Sequence, residues 1–142
     1  MRAMEISRSG LDVEWQRLQV IAQNLANINT TRSATGEAYR PMRLLSGPQG
    51  GFSAMMSGTT AARGDGGVRV VGVEPAAGNI RRVYEPGHPD AAPDGFVSYP
   101  AVDHAGEMTL LIKTSRAYEA NLTAMNMAHQ MYSRALDLGR QS

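Results

Sequence analysis

The sequence predicts a mainly α-helical protein with a small β-rich insert, in which long helices at the two ends of the chain pair as a coiled coil. Apolar residues recur at helical spacing near both ends. Between them, all seven prolines and eleven of the fifteen glycines lie within residues 41–100, a density that excludes long helices and is typical of turns. We therefore expect an N-terminal amphipathic helix in residues 1–31, a turn-rich, partly β segment in residues 32–105, and a C-terminal coiled-coil helix in residues 106–142.

The first predicted helix covers residues 4–28. Leucines recur every seven residues at Leu11, Leu18 and Leu25, which places them on one face of a helix. Gly10 weakens the beginning of this helix, since glycine costs about 1 kcal/mol relative to alanine in a helix interior. Polar side chains that compete for backbone hydrogen bonds end it, and these are Asn27, Asn29, Thr30 and Thr31.

The central segment contains three strand candidates, at residues 39–45, 67–74 and 79–84. In the second of them, Val68, Val70 and Gly72 point to one side of the strand and the intervening residues point to the other. Residues 46–67 are rich in small residues and poor in large apolar ones, so we predict a mobile loop or a loose hairpin there.

The last predicted helix, within residues 107–138, carries two series of residues at helical spacing. The first is apolar or aromatic at all but two positions and runs Met108, Leu111, Ser115, Tyr118, Leu122, Met125, His129, Tyr132 and Leu136. The second is built largely of small residues and runs Leu110, Thr114, Ala117, Asn121, Ala124, Ala128, Met131, Ala135 and Leu138. The two series lie roughly 110° apart on the helix. One face is expected to pack on the first helix.

Two interpretations of the second face remain open. It is buried within the same domain, or it contacts another copy or another protein. At 1.5 Å per residue the helix is roughly 48 Å long, whereas a domain of this size is about 30 Å across. The difference in length favours contact with another molecule.

Composition excludes several classes of function. The net charge is +1 and the basic residues are scattered, so we expect no nucleic-acid partner. No apolar run approaches about 18 residues, so we expect no direct insertion into a membrane. The N-terminus lacks the apolar core and cleavage site of a secretory signal peptide. Cysteine is absent, which excludes disulfides, thiolate catalysis and cysteine-based zinc sites.

Residues 85–95 form the one segment whose composition suits catalysis or metal binding. The segment contains Glu85, His88, Asp90 and Asp94, all of types that bind metals or transfer protons. The same segment is rich in proline and glycine, and turns are commonly built from such residues. We expect a rigid turn, in which Gly87 and Gly95 supply positive φ angles. Accordingly we expect no enzyme activity, no metal and no cofactor, and packing roles for His104 and His129.

Three motifs resemble those of the bacterial flagellar rod and hook proteins. Residues 26–32, Ala-Asn-Ile-Asn-Thr-Thr-Arg, are similar to the signature at the end of that family's first helix. Residues 83–91, Val-Tyr-Glu-Pro-Gly-His-Pro-Asp-Ala, resemble the central motif of its proximal-rod members. Residues 115–121, Ser-Arg-Ala-Tyr-Glu-Ala-Asn, are similar to the family's C-terminal signature.

The resemblance implies a set of family residues that serve assembly. By position in this chain they are Asn27, Asn29, Thr30, Thr31, Tyr84, Pro86, Gly87, His88, Pro89, Asp90, Arg116, Tyr118, Glu119, Asn121, Leu122, Ala124 and Met125. The chain departs from the family just before its last helix, at Ala101 and in residues 104–106. We therefore expect that helix to begin near Glu107.

The same resemblance implies a function. It is that of a structural subunit of the proximal rod of the flagellar basal body, which polymerises through its terminal helices into a tube that transmits torque and encloses the export channel. The implied location is the periplasm, after type III export without a cleaved signal peptide. The implied partners are other copies, other proximal and distal rod subunits, the rod–ring junction protein and the export apparatus. The alternatives are another flagellar axial protein, a non-polymerising helical adaptor, or a metal-dependent enzyme using residues 85–94.

Overall fold

The computed structural model describes residues 2–32, 34, 36–49, 66–78 and 80–140. In chain order its elements are helix α1 (Arg2–Ala26), strands β1 (Met42–Pro48), β2 (Val68–Pro75), β3 (Arg81–Tyr84) and β4 (Phe96–Tyr99), and helix α2 (His104–Arg140). The protein is mainly α-helical, with two long helices and a small antiparallel β insert between them in the chain.

Helix α1 ends where the polar residues of the first motif begin. It covers Arg2–Ala26, so the predicted helix at residues 4–28 is observed two residues earlier at each end. The Asn27 side chain donates to the carbonyl of Gln23 at 2.8 Å, and the Thr30 hydroxyl donates to the Asn27 side chain at 3.0 Å. These side chains bond to the last turn and to each other, which stops the helix as expected.

Helix α2 begins at His104, and the expectation of a start near Glu107 is wrong. The Asp103 carbonyl accepts the backbone N–H of Glu107 at 2.9 Å, so the first helical turn starts directly after Asp103. Aspartate is among the residues preferred just before a helix, because its carboxylate stabilises the unpaired N–H groups there. With 37 residues, α2 is about 55 Å long.

The two helices pack against each other in antiparallel orientation. The Trp15 and Tyr118 rings lie 6.4 Å apart between centroids, and Gly10 lies against the Asn121 side chain. Members of both predicted series of α2 are partly buried, whereas other members of both are exposed. The predicted division into two separate faces is therefore wrong in detail, since the face that contacts α1 lies between the two series. From residue 129 onward every described residue of α2 is exposed.

Gly10 permits the close approach of the helices, a role that its helix propensity did not reveal. A Cβ atom at this position would lie 2.9 Å from both terminal atoms of the Asn121 amide. Gly10→Leu is therefore expected to lower the free energy of unfolding by about 1–3 kcal/mol, because it forces the helices apart. Urea unfolding measures this loss. In an Asn121→Ala background the loss should be smaller, and equal losses in both backgrounds would contradict the contact.

Among its described residues, the insert forms two separate two-stranded antiparallel sheets. Strand β1 pairs with β2, with an irregularity between Leu45 and Ser46, and β3 pairs with β4. Three of the strands were predicted, although β1 starts at Met42 and runs on to Pro48. Strand β4 was missed because its four residues are too short to show a period. Residues 50–65, most of the predicted mobile loop, lie outside the described residues.

Candidate assembly site

A buried polar network joins the end of α1, the start of β1 and the first turns of α2. Its centre is Asn24, whose side chain is fully buried, with 0% exposed. Its Oδ1 accepts the backbone N–H of Met42 at 2.9 Å and the Tyr39 hydroxyl at 3.0 Å. Its Nδ2 donates to the Met42 carbonyl at 2.9 Å and to Glu107 Oε2 at 3.3 Å. The amide thus bonds both backbone groups of Met42, as a neighbouring strand would.

Glu107 contributes a buried carboxylate to this network. The residue is only 1% exposed, and its Oε1 accepts a hydrogen bond from Arg43 Nη1. The Arg43 side chain is 43% exposed, so one partner of this ion pair keeps contact with water. A buried carboxylate requires a positive partner and further hydrogen bonds, and here Arg43 and Asn24 supply them.

The network alters the acid–base behaviour of Tyr39. Burial, and secondly the nearby carboxylate of Glu107, raise the pKa of the Tyr39 phenol above its ordinary value. Both causes disfavour the phenolate, so the folded protein holds the proton more tightly than the unfolded chain does. The stability that this group contributes is present below the ordinary tyrosine pKa and is lost as the pH rises through the higher pKa of the folded state.

Tyr39→Phe tests that pH dependence. At neutral pH the variant is expected to lose one hydrogen bond, or about 0.5–1.5 kcal/mol. At alkaline pH the difference between variant and wild type should shrink, because only the wild type loses stability through ionisation of Tyr39. Urea unfolding across the alkaline range measures both, with tyrosinate absorbance as a second observable. A constant difference at all pH values would contradict the assignment.

The first and the central motif meet at Asp90. The Thr31 hydroxyl donates to Asp90 Oδ2 at 2.8 Å, across 59 residues of sequence. The exposed Arg32 guanidinium lies 3.7 Å from Asp90 Oδ1, a distance and exposure at which an ion pair contributes little. The turn after α1 is therefore joined to the β3–β4 hairpin through a side-chain hydrogen bond between two family motifs.

The segment between β3 and β4 is a series of hydrogen-bonded turns. The N–H of Glu85 donates to Gly95 at 2.9 Å, that of His88 to Glu85 at 3.0 Å, and that of Gly95 to Ala92 at 2.8 Å. His88 Nδ1 accepts the Asp90 N–H at 3.0 Å. These contacts agree with the expected rigid turn.

Only one of the two glycines in this segment has the conformation that we expected of both. Gly95 adopts a φ of +80°, whereas Gly87 does not have a positive φ, and a Cβ on Gly87 would meet open space. The expectation for Gly87 is therefore wrong. Its neighbours Pro86 and Pro89 restrict the backbone there, so the turn forms without a left-handed residue at Gly87.

The C-terminal motif contacts α1. Tyr118 packs against Trp15 and Asn121 against Gly10, while Arg116 and Glu119 are exposed. Among the other expected residues of α2, Met125 is partly buried and both Leu122 and Ala124 are exposed. The motif thus has one side on the helix pair and one side facing outward.

Sequence reasoning missed Asn24, Tyr39 and Arg43 as site residues, and it named Glu107 only as the expected start of the last helix. None of the four carries a spacing signal, because their partners come from distant parts of the chain. The one available signal was a polar residue, Asn24, between the apolar positions Ile21 and Leu25 of α1.

A metal-binding cluster and a membrane-spanning helix are both absent from the described residues. These residues contain no group of three or more His, Cys, Asp or Glu placed to hold a metal ion. Of the helices that the structure describes, neither combines the length and the apolar character needed to cross a membrane.

Both helices match family models of one class of protein. Residues 4–32 match the family described as flagella basal body rod protein. Residues 94–138 match the family described as flagellar basal body rod FlgEFG protein, C-terminal. The matches cover α1, the C-terminal part of the insert and nearly all of α2, and they define the class as flagellar basal-body rod proteins.

Relatives extend the similarity over nearly the whole chain. The flagellar basal-body rod protein FlgC of Bacillus subtilis is 34% identical over 145 residues, with 97% of each chain covered. That of Salmonella typhimurium is 31% identical over 140 residues, covering 99% of this chain and 98% of the relative. That of Escherichia coli O6:H1 is 34% identical with the same coverage. This chain belongs to the FlgC family of flagellar basal-body rod proteins, and the resemblance found in its motifs is confirmed.

Proposed function

We propose that this chain is a structural subunit of the proximal rod of the flagellar basal body. The observation that carries the proposal is its 31–34% identity to named FlgC proteins over 97–99% of its length. In this role the chain has no enzymatic activity and uses no cofactor. Its place is the periplasmic part of the rod, reached by type III export without a cleaved signal peptide.

Polymerisation through the terminal helices is the assembly mode that we infer. The exposed part of α2 carries large apolar side chains, among them Ile112 at 53%, Met131 at 70% and Leu138 at 71% exposure. Met131 and Leu138 are seven residues apart and therefore lie on one face of α2, and exposed apolar side chains grouped on one face are typical of a protein–protein contact. We further propose that α1 and α2 pack as a coiled coil, and that the chain divides into an N-terminal amphipathic helical part (1–31), a central, partly β part (32–105) and a C-terminal coiled-coil part (106–142).

The proposed partners are further copies of this chain, the other proximal and distal rod subunits, the rod–ring junction protein and the export apparatus. The motif residues on the exposed side of α2, such as Arg116, Glu119 and Leu122, are proposed to contact neighbouring subunits. Asn29, which is exposed at the end of the first motif, is assigned the same role. Nucleic acid and the lipid bilayer are not proposed as partners.

Deletion of the gene tests the function. A rod subunit is expected to leave basal-body rings without a completed rod when it is absent, and the wild-type gene should restore rod and motility. Electron microscopy of purified basal bodies gives the result. Complete rods in the deletion strain would contradict the proposal and would favour a non-polymerising adaptor.

Ala124→Leu tests the assembly surface. Ala124 is exposed on α2, so the helix content and stability of the monomer should change by less than about 0.5 kcal/mol. At a close contact between subunits, overpacking costs about 1–3 kcal/mol, and in a polymer this cost recurs at every interface. We therefore expect reduced rod assembly and motility in the complemented deletion strain.

The matched control is Ala120→Leu, the same change at an exposed position of α2 that belongs to neither predicted series. It should affect assembly less than Ala124→Leu does. Equal motility of the two variants, with export of each verified, would show that Ala124 is not at a contact.

A further inference from the structure

The apolar pattern of the two helices is compatible with more than one alignment. On α1 the leucines Leu11, Leu18 and Leu25 recur every seven residues. On α2, Tyr118 faces Trp15, and the residues seven positions before and after it are Leu111 and Met125. Sliding one helix by seven residues therefore replaces apolar contacts by apolar contacts, and the hydrophobic pattern alone does not define the register.

The polar network distinguishes these alignments. Two contacts between the helices, Asn24 with Glu107 and Gly10 with Asn121, define the observed alignment. They lie 14 residues apart on each helix. After a slip of seven residues, Asn24 would face Thr114 or Pro100 in place of Glu107. Neither residue has a carboxylate, so neither can accept one hydrogen bond from the Asn24 amide and another from the Arg43 guanidinium as Glu107 does.

The network also joins the helix pair to the insert. Asn24 bonds both backbone groups of Met42, and Glu107 bonds Arg43, so both helices are held to the start of β1. In a slipped pair Asn24 and Glu107 would separate, and because β1 can follow only one helix, either Asn24 would lose Met42 or Glu107 would lose Arg43. A buried polar group without its partner is strongly disfavoured.

We propose that Asn24 and Glu107 are positioning residues that set the register of α1 against α2. Their role is to select one alignment among several that the apolar residues permit, as single buried polar residues do in coiled coils. The register fixes how far α2 extends beyond α1, since a slip of seven residues moves its end by about 10 Å. This last consequence matters for assembly only if the proposed function is correct, whereas the register itself is a property of the isolated chain.

The absence of cysteine makes the register measurable by crosslinking. One reporter chain carries Trp15→Cys and Tyr118→Cys, which pairs residues that are in contact here. A second carries Trp15→Cys and Met125→Cys, which pairs the same α1 position with the residue seven places further along α2. A short bismaleimide crosslinks whichever pair is close, and the ratio of the two yields reports the register.

Three changes are then made in both reporter chains. With Asn24 and Glu107 native, we expect the crosslinking yield of the 15–118 pair to exceed that of the 15–125 pair by about tenfold or more. This is the ratio expected when the slipped alignment leaves even one buried polar group unpaired. Asn24→Leu with Glu107→Leu should reduce that preference to nearly equal yields. Glu107→Gln, which keeps a hydrogen-bonding side chain, should retain most of it.

The third change moves the carboxylate along α2 by one heptad, through Glu107→Thr with Thr114→Glu. If the carboxylate sets the register, this exchange should shift crosslinking toward the 15–125 pair. Circular dichroism verifies the helix content of each chain, and the exchange variant decides the question where the leucine variant is not helical.

The proposal is overturned by a helical leucine variant, or by an exchange variant, that keeps the native preference. Either result would assign the register to the short connection between β4 and α2, residues 100–103. An exchange variant that forms no helix also counts against the proposal. If the carboxylate sets the register, the helices of this variant should still form and pair in the shifted alignment.

Discussion

Asn24→Leu is expected to lower the free energy of unfolding by about 2–4 kcal/mol, because it leaves several polar groups without partners at once. The amide of Asn24 bonds the N–H and the carbonyl of Met42, the Tyr39 hydroxyl and Glu107. Leucine has a similar volume and replaces none of these bonds. Each buried donor or acceptor left unpaired costs about 1–3 kcal/mol. Urea or thermal unfolding of purified protein measures the change.

Asn29→Leu is the matched control, since Asn29 is exposed and only a few residues further along the chain. The same substitution there should change the free energy of unfolding by less than about 0.5 kcal/mol. If Asn24→Leu were as mild as Asn29→Leu, the buried network would not stabilise the fold, and the arrangement of α1, β1 and α2 would need another cause.

Gly95→Val is expected to disrupt the β3–β4 hairpin. The φ of Gly95 is +80°, and a Cβ there would lie 2.7 Å from Cε2 of the Tyr84 ring. A left-handed conformation costs about 1–2 kcal/mol for residues other than glycine, and more for β-branched ones. The Tyr84 ring is 63% exposed, so it can move away from the new side chain and the clash adds less than overpacking in a core would. Unfolding experiments should show a loss of roughly 1–3 kcal/mol.

Gly87→Val in the same segment provides the comparison. Gly87 has no positive φ and a Cβ there meets open space, so its replacement should change stability by less than about 1 kcal/mol. Motility of strains carrying each variant should follow the same order, with export of both verified. A more severe effect at Gly87 than at Gly95 would mean that Gly87 is needed for a contact with another subunit and not for the turn.

The hypothesis of a metal-dependent enzyme makes a different prediction for this segment. It requires His88 and Asp90 for activity. In the structure, His88 accepts a backbone N–H and Asp90 accepts the Thr31 hydroxyl, so both side chains already have structural partners. On the structural interpretation, His88→Ala removes one hydrogen bond, or about 0.5–1.5 kcal/mol. Loss of motility with His88→Ala but not with Gly95→Val would favour the enzyme hypothesis.

Local patterns in the sequence were sufficient to predict the family and the two long helices. The seven-residue spacing of Leu11, Leu18 and Leu25 reflects burial on one side of a helix. Such a spacing can be recognised in the sequence even when the packing partner is unknown. The polar residues after Ala26 end α1 by bonding to their own neighbours. The three family motifs are short and contiguous, so they could be recognised before any contact was known.

What depends on distant parts of the chain was decided only by the tertiary structure. The partners of Asn24 come from residues up to 83 positions away, and no local pattern encodes them. The close approach at Gly10 depends on Asn121, and of the two glycines between β3 and β4 it is Gly95, directly before β4, that has the positive φ. The physical reason is common to all three. Periodicity shows which side of an element is buried, whereas the hydrogen-bond partner and the space available to a side chain are set by the element that packs against it.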